Sequence, residues 1–212
     1  MVEHQKILEW SNNHWEESII PSLSELIQVK ALSPSFDPDW KLRGELHETI
    51  DIFERWAMEQ DVSGIQTHKF ELDGLTPLLI IKVEGSGPGE VLFYSHLDKQ
   101  PSRPELWSDG LSPLNAVRRD PWLYGRGSVD DGYGGYLCLS AIKALQDHNQ
   151  NHPSVTFLIE TCEESGSYDL PYYLDHCSKY LGSPDLVVVM DSGGPDYDRI
   201  WTTDALRGLI HG

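Results

Sequence analysis

Three apolar segments of this chain each end abruptly in side chains that could bind a metal ion. A short apolar run bounded by turn signals is typical of a buried strand, and in open α/β sheets ligands bind just beyond the carboxyl ends of such strands. The sequence therefore predicts a metal site at one edge of a sheet. The segments 91–94, 155–159 and 186–190 lead into His96 and Asp98, into Glu163 and Glu164, and into Asp191, and Asp130 lies between the first two.

The types of these side chains limit the chemistry. One imidazole with several carboxylates suits Zn²⁺, with Mn²⁺ or Co²⁺ as alternatives. Five carboxylates near one point would repel each other unless cations neutralise them, and one carboxylate can bridge two ions about 3.5–4 Å apart. Glu163 and Glu164 are adjacent and project differently, so one can bind metal while the other acts as a general base toward water. The residues alone do not decide which glutamate has which role.

The elements that must position these side chains can be read from periodicity and turn residues. We expect an α/β fold, with a mainly parallel sheet flanked by helices. Helical spacing covers 2–28, with a kink or restart at Pro21, and 42–60. Further helices are predicted from about 131 to 147–151 and over 165–181. Strands are predicted at 65–72, 78–83, 122–124, 200–203 and 206–210, besides the three apolar segments. The segment 101–120 is predicted to be a surface excursion near the site.

Composition excludes several classes of partner. The chain carries 34 acidic against 16 basic residues, a formal charge of −18, which argues against nucleic acid and against an anionic membrane surface. No apolar run approaches the roughly 20 residues of a membrane helix, and the first ten residues do not resemble a signal peptide. Three cysteines, Cys138, Cys162 and Cys177, fit reduced thiols in a cytoplasmic protein.

Four motifs occur in an order that resembles a known family. They are His96-Leu97-Asp98, GRGSVDDG at 125–132, EESGS at 163–167 and a strand that ends in Asp191. Together they resemble the di-zinc aminoacylase, carboxypeptidase and dipeptidase superfamily, which includes glutamate carboxypeptidases, carnosinase-like dipeptidases, acetylornithine deacetylase and succinyl-diaminopimelate desuccinylase. The sequences HLDKQP and CEESGS are most similar to the dipeptidase-type branch.

The resemblance implies a metal-dependent hydrolase with two zinc ions that cleaves the amide bond of a dipeptide or N-acyl amino acid. It implies that His96 and Asp191 bind one zinc, that Asp130 bridges both ions before a peptide bond that is often cis, and that Glu164 binds the second zinc. Glu163 would be the general base toward the bridging water, and Asp98 would orient His96 through its other ring nitrogen.

The chain also departs from the pattern of this family, whose members are roughly twice as long. We expect 1–205 to be the N-terminal portion of the catalytic domain and 206–212 to begin the strand that leads into the lid through which full-length relatives form homodimers. The second-site His is missing from this chain, and His211 is a poor substitute. The chain alone should therefore have feeble activity. Two alternatives are a non-catalytic metal-binding or interaction module and an incomplete fragment with an unpaired apolar sheet edge.

Overall fold

A computed structural model describes residues 4–192, 196, 199 and 201–203. The helices are α1 His4–His14, α2 Ile20–Gln28, α3 Trp40–Arg43, α4 Glu45–Glu59, α5 Gly132–Asp147, α6 Leu170–His176 and α7 Ser178–Leu181. The strands are β1 Ile65–Phe70, β2 Leu78–Val83, β3 Glu90–His96, β4 Val117–Arg119, β5 Trp122–Tyr124, β6 Ser154–Glu160 and β7 Leu186–Val189. No helix among the described residues is both long and apolar enough to cross a membrane.

Five of the strands form one sheet in the order β1-β2-β6-β3-β7. The strands that lead into the candidate ligands, β6, β3 and β7, run parallel to one another. The antiparallel pairs β1–β2 and β2–β6 make the sheet mixed. The predicted α/β fold with a helix-flanked sheet is confirmed, and β1 lies at one edge of the sheet.

Apolar side chains cover both faces of this sheet, which explains the continuous apolar runs in the sequence. On one face, alternate residues of β2 and β6, such as Leu79, Ile81 and Phe157, pack against α2, α4 and α5. On the other face, Ile80 and Leu158 pack with side chains of α6. The site-bearing strands are therefore held between two layers of helices.

The N-terminal helical segment is interrupted by one wide turn. A π-helical segment, Trp15–Ile19, joins α1 to α2, and Pro21 lies in the first turn of α2. Proline is tolerated there because the first amides of a helix have no acceptor within it. The predicted restart near Pro21 is thus confirmed.

Two predictions differ from the structure in detail. The segment 165–181 is not one helix: a 3₁₀ turn, Glu163–Ser165, is followed by α6 and α7, since Gly166 and Ser167 have positive φ angles that an α-helix cannot accommodate. Trp201, Thr202 and Thr203 form no strand. The predicted strand 206–210, the proposed lid segment 206–212 and His211 lie outside the described residues.

Candidate metal centre

The parallel register of three strands brings their carboxyl ends to one edge of the sheet. His96 is the last residue of β3 and lies opposite Glu160 of β6, and Tyr94 lies opposite Val189 of β7. The chain leaves β6 into the turn that carries Glu163 and Glu164, and leaves β7 just before Asp191. Side chains far apart in sequence therefore meet here, as predicted.

His96 is completely buried, and its Nε2 atom faces three carboxylates. The Nε2 atom lies 3.4 Å from Asp130 Oδ1, 3.6 Å from Glu163 Oε2 and 3.6 Å from Asp191 Oδ2. It makes no hydrogen bond in the structure. A buried nitrogen without a partner, surrounded by carboxylate oxygens, is the arrangement expected of a metal ligand.

The spacing of these atoms fits a bound cation. Two ligands that each lie about 2.0–2.1 Å from one tetrahedral ion are separated by roughly 3.4 Å, close to the distances around Nε2. The possible ligand atoms form two groups, and within each group the atoms lie within 4.8 Å of one another. One group is His96, Asp130 and Glu164, and the other is His96, Glu163 and Asp191. Since both groups share His96, it is the only histidine that the described residues contribute to the centre.

Electrostatics also show that this site attracts positive charge. Burial opposes the imidazolium form of His96, but the nearby carboxylates of Asp130 and Asp98 outweigh burial and raise the pKa of His96 to about 11. The proximity of His96 is also the main reason why the pKa of Asp130 is lowered. A metal cation bound in place of the imidazolium proton would therefore be neutralised by carboxylates that already surround the site.

Asp98 connects His96 to the two glutamates. Its carboxylate is completely buried. Oδ1 accepts a hydrogen bond from the backbone N–H of Glu163 at 3.2 Å, and Oδ2 accepts one from that of Glu164 at 3.0 Å. His96 Nδ1 lies 3.2 Å from the Asp98 carbonyl oxygen and 3.4 Å from Oδ1. Asp98 is thus placed to orient the imidazole, and it also fixes the glutamate turn, which the sequence did not indicate.

The two adjacent glutamates have different surroundings. The Glu164 side chain is only 6 % exposed, whereas that of Glu163 is 34 % exposed. Glu164 Oε2 accepts a hydrogen bond from Gln100 Nε2 at 2.6 Å, and Oε1 accepts one from an Arg126 amino group at 3.2 Å. Burial raises the pKa of Glu163 because it disfavours the charged form. Glu163 therefore has the access to solvent that a proton-transfer group needs.

Asp130 lies in a tight glycine-rich turn between β5 and α5, and this turn positions its side chain at the centre. The peptide bond from Asp130 to Asp131 is cis, in agreement with the expectation from the resemblance. Gly127 has a φ of +81°, and a Cβ atom there would lie 2.6 Å from Lys99 Cε. A Cβ atom on Gly132 would collide with the Gly127 carbonyl oxygen. Both glycines are therefore required by close approach.

Sequence reasoning missed several polar residues that hold this centre. Asp131 is buried, accepts a hydrogen bond from the His96 backbone N–H at 3.3 Å and has a pKa raised by burial to about 7. Lys99 is also buried, and its Nζ donates to the carbonyls of Leu26, Ile27 and Val29 at the end of α2. No sequence signal marks a lysine for burial.

Several known proteins resemble this chain in sequence or fold. Beta-Ala-His dipeptidase from Homo sapiens is 28 % identical over 98 % of the chain and 41 % of its own length. Cysteinylglycine-S-conjugate dipeptidase from Corynebacterium striatum is 27 % identical over 91 % of the chain and 41 % of its own length. The crystal structure of human carnosine dipeptidase 1 superimposes with a TM-score of 0.71 at 24 % identity, covering 89 % of this chain and 41 % of that one.

The chain thus spans less than half the length of the relatives that it matches. The model of peptidase family M20/M25/M40 matches residues 92–203, more than half of the chain. This range contains all six predicted site residues, from His96 to Asp191, and the strands that bring them together. On its sequence and on its fold, the chain is a member of peptidase family M20/M25/M40, a family of metallopeptidases.

Proposed function

We propose that this chain forms the metal-binding part of a hydrolase that cleaves the amide bond of a dipeptide or an N-acyl amino acid. The observation that carries the proposal is the buried His96 Nε2 atom, which has no hydrogen-bond partner and faces three carboxylate oxygens. The dipeptidases among the similar proteins support the substrate class.

The donor set suits two divalent cations. His96 and Asp191 would hold one ion, Asp130 would bind both, and Glu164 would hold the second. Nitrogen and oxygen donors fit Zn²⁺, and Mn²⁺ or Co²⁺ would be accepted as well. When bound, such ions activate water and polarise the carbonyl group of the scissile amide.

The remaining chemistry belongs to the residues of the chain. Glu163 would take a proton from the attacking water and pass it to the leaving amine. Its partial exposure and the 3.6 Å between its Oε2 atom and His96 Nε2 support this role. Asp98 would hold Glu163, Glu164 and His96 in fixed relative positions through its contacts to the two backbone amides and to the imidazole ring. The role of Asp98 is therefore positioning.

Metal titration of the purified chain tests this proposal. We expect Zn²⁺ to bind with at least one high-affinity step and to raise the midpoint of thermal unfolding, because a ligand that binds only the folded state stabilises it. His96→Ala should abolish the high-affinity step. His47→Ala is a matched control, because His47 is half-buried beside Glu71 and belongs to neither group of possible ligands. High-affinity binding that survives His96→Ala would contradict the proposal.

A metal-binding module without catalysis is the second candidate. It is favoured by the engagement of both Glu164 oxygens by Gln100 and Arg126, and by the single histidine among the described residues of the centre. The two candidates differ in turnover: only a hydrolase releases an amine from a dipeptide in a reaction that a chelator stops.

A further inference from the structure

Arg126 forms a bridge between the two carboxylates that would hold the second ion. Its guanidinium donates to Asp130 Oδ2 at 3.2 Å and to Glu164 Oε1 at 3.2 Å. The turn fixes its position, since the Arg126 backbone N–H donates to the Pro113 carbonyl at 2.8 Å. The arginine side chain is only 27 % exposed, so solvent screens its charge less than it would on an open surface.

The other half of the centre has no such cation. Among the described residues, the only basic side chain within 4 Å of Glu163 or Asp191 is His96 itself. An ion bound at this half would lie between His96 Nε2 and the carboxylates of Glu163 and Asp191. An ion bound at Asp130 and Glu164 would instead lie beside the positively charged guanidinium of Arg126. The two halves of the centre are therefore electrostatically unequal.

We propose that Arg126 makes the two metal positions unequal in affinity. The position at His96 and Asp191 then fills first, and the position at Asp130 and Glu164 fills second. The inference rests on the proposed function. Arg126 neutralises Asp130 and Glu164 while the second position is empty, and this keeps the two carboxylates ordered beside the first ion. The second ion must weaken these charge-assisted hydrogen bonds and remain near a positive charge, so it binds more weakly.

Calorimetric titration of the chain with Zn²⁺, and with Co²⁺ followed by its absorption spectrum, tests this inference. In the wild type we expect a tight step and a weak step, or a tight step alone. Arg126→Met removes the charge and should tighten the second step by roughly tenfold or reveal it, while the first step changes much less, because Arg126 contacts Asp130 but neither His96 nor Asp191. Arg126→Gln is a second neutral replacement. Loss of structure alone cannot produce a gain in affinity.

Two controls separate charge from other causes. Arg126→Lys keeps the charge and should leave the gap between the two steps near the wild-type value. Arg118→Met removes a similar surface arginine, which bridges Glu16 and Asp120 away from the centre, and should change neither step. Tightening in Arg126→Lys as large as in Arg126→Met would overturn the inference, and so would an unchanged or weakened second step in both neutral variants.

Failure of this inference can be told apart from failure of the proposed function. If the first step is lost in His96→Ala while Arg126→Met leaves the second step unchanged, the proposed metal centre is supported and only the role of Arg126 is rejected. If the wild type binds no ion tightly, or if binding does not depend on His96, the proposed function itself falls.

Discussion

Glu163 and Glu164 illustrate how neighbouring residues of the same type acquire different chemistry. Both backbone amides donate to the carboxylate of Asp98, so their main chains are fixed together. Their side chains then diverge: Glu164 is buried between Gln100 and Arg126, whereas Glu163 is directed toward His96 and remains partly open to solvent. Exposure, rather than residue type, therefore separates the candidate ligand from the candidate base.

This difference predicts the effect of Glu163→Gln. The amide keeps the shape of the side chain but cannot accept a proton, so hydrolysis should fall by roughly 10²–10⁴-fold. Zn²⁺ stoichiometry should be unchanged, because His96, Asp130, Glu164 and Asp191 remain. The measurement is release of amine from a panel of dipeptides under single-turnover conditions, with the metal-loaded chain in excess. Equal rates in the variant and the wild type would exclude Glu163 as the base.

Among the elements, the end of α2 and the end of β3 are joined by one buried side chain. Lys99 Nζ lies 2.8 Å from the Leu26 carbonyl oxygen and 2.6 Å from that of Val29. Burial lowers the pKa of Lys99 to about 7, and its carbonyl acceptors oppose that shift because they interact best with the ammonium form. The backbone of Lys99 also bonds to Ala31 and Ser33. The N-terminal helices therefore support the loop that carries Asp98.

Lys99→Met tests this connection. The change leaves carbonyl oxygens of the α2 terminus buried without a donor, so the free energy of unfolding should fall by about 3 kcal/mol. Urea denaturation monitored by circular dichroism measures the loss. Lys30→Met is the control, since Lys30 is exposed near the same helix end and should have little effect. A variant as stable as the wild type would show that the ammonium contributes nothing there.

The elements also show which features could be read from the sequence. The strands that lead into His96, Glu163 and Asp191 were predictable, because a buried parallel strand reads as an apolar run followed by polar residues. The contacts of Lys99 and Arg126 were not predictable, because they depend on how separate elements approach one another. The break between α6 and α7 also escaped prediction, since apolar spacing alone does not distinguish one helix from two short ones.

At the scale of the whole molecule, one edge of the described sheet is open. The side chains of Leu186, Val187 and Val189 in β7 are more than half exposed, which is unusual for a run of this composition. The relatives that match the chain are more than twice as long. Substrate binding and dimer formation through a lid, which the resemblance implies, therefore stay predictions for this chain.

The same features predict weak catalysis by the 212 residues alone. With a single histidine among the described residues of the centre, turnover of a dipeptide should be far below the roughly 10 s⁻¹ that is typical of enzymes. Steady-state amine release at saturating Zn²⁺, with a chelator as control, measures it. Chelator-sensitive turnover near the typical rate, abolished by Glu163→Gln, would contradict this prediction.

The glycine-rich turn that carries Asp130 limits which amino-acid substitutions can occur next to the centre. At positions 127 and 132 any side chain would collide with Lys99 or with the turn itself, so substitutions there should destabilise the turn and be rare. Val129, by contrast, is 67 % exposed beside Asp130 and can change at little structural cost. Variation within this turn should therefore concentrate at position 129, next to a candidate ligand but outside the close contacts that shape the turn.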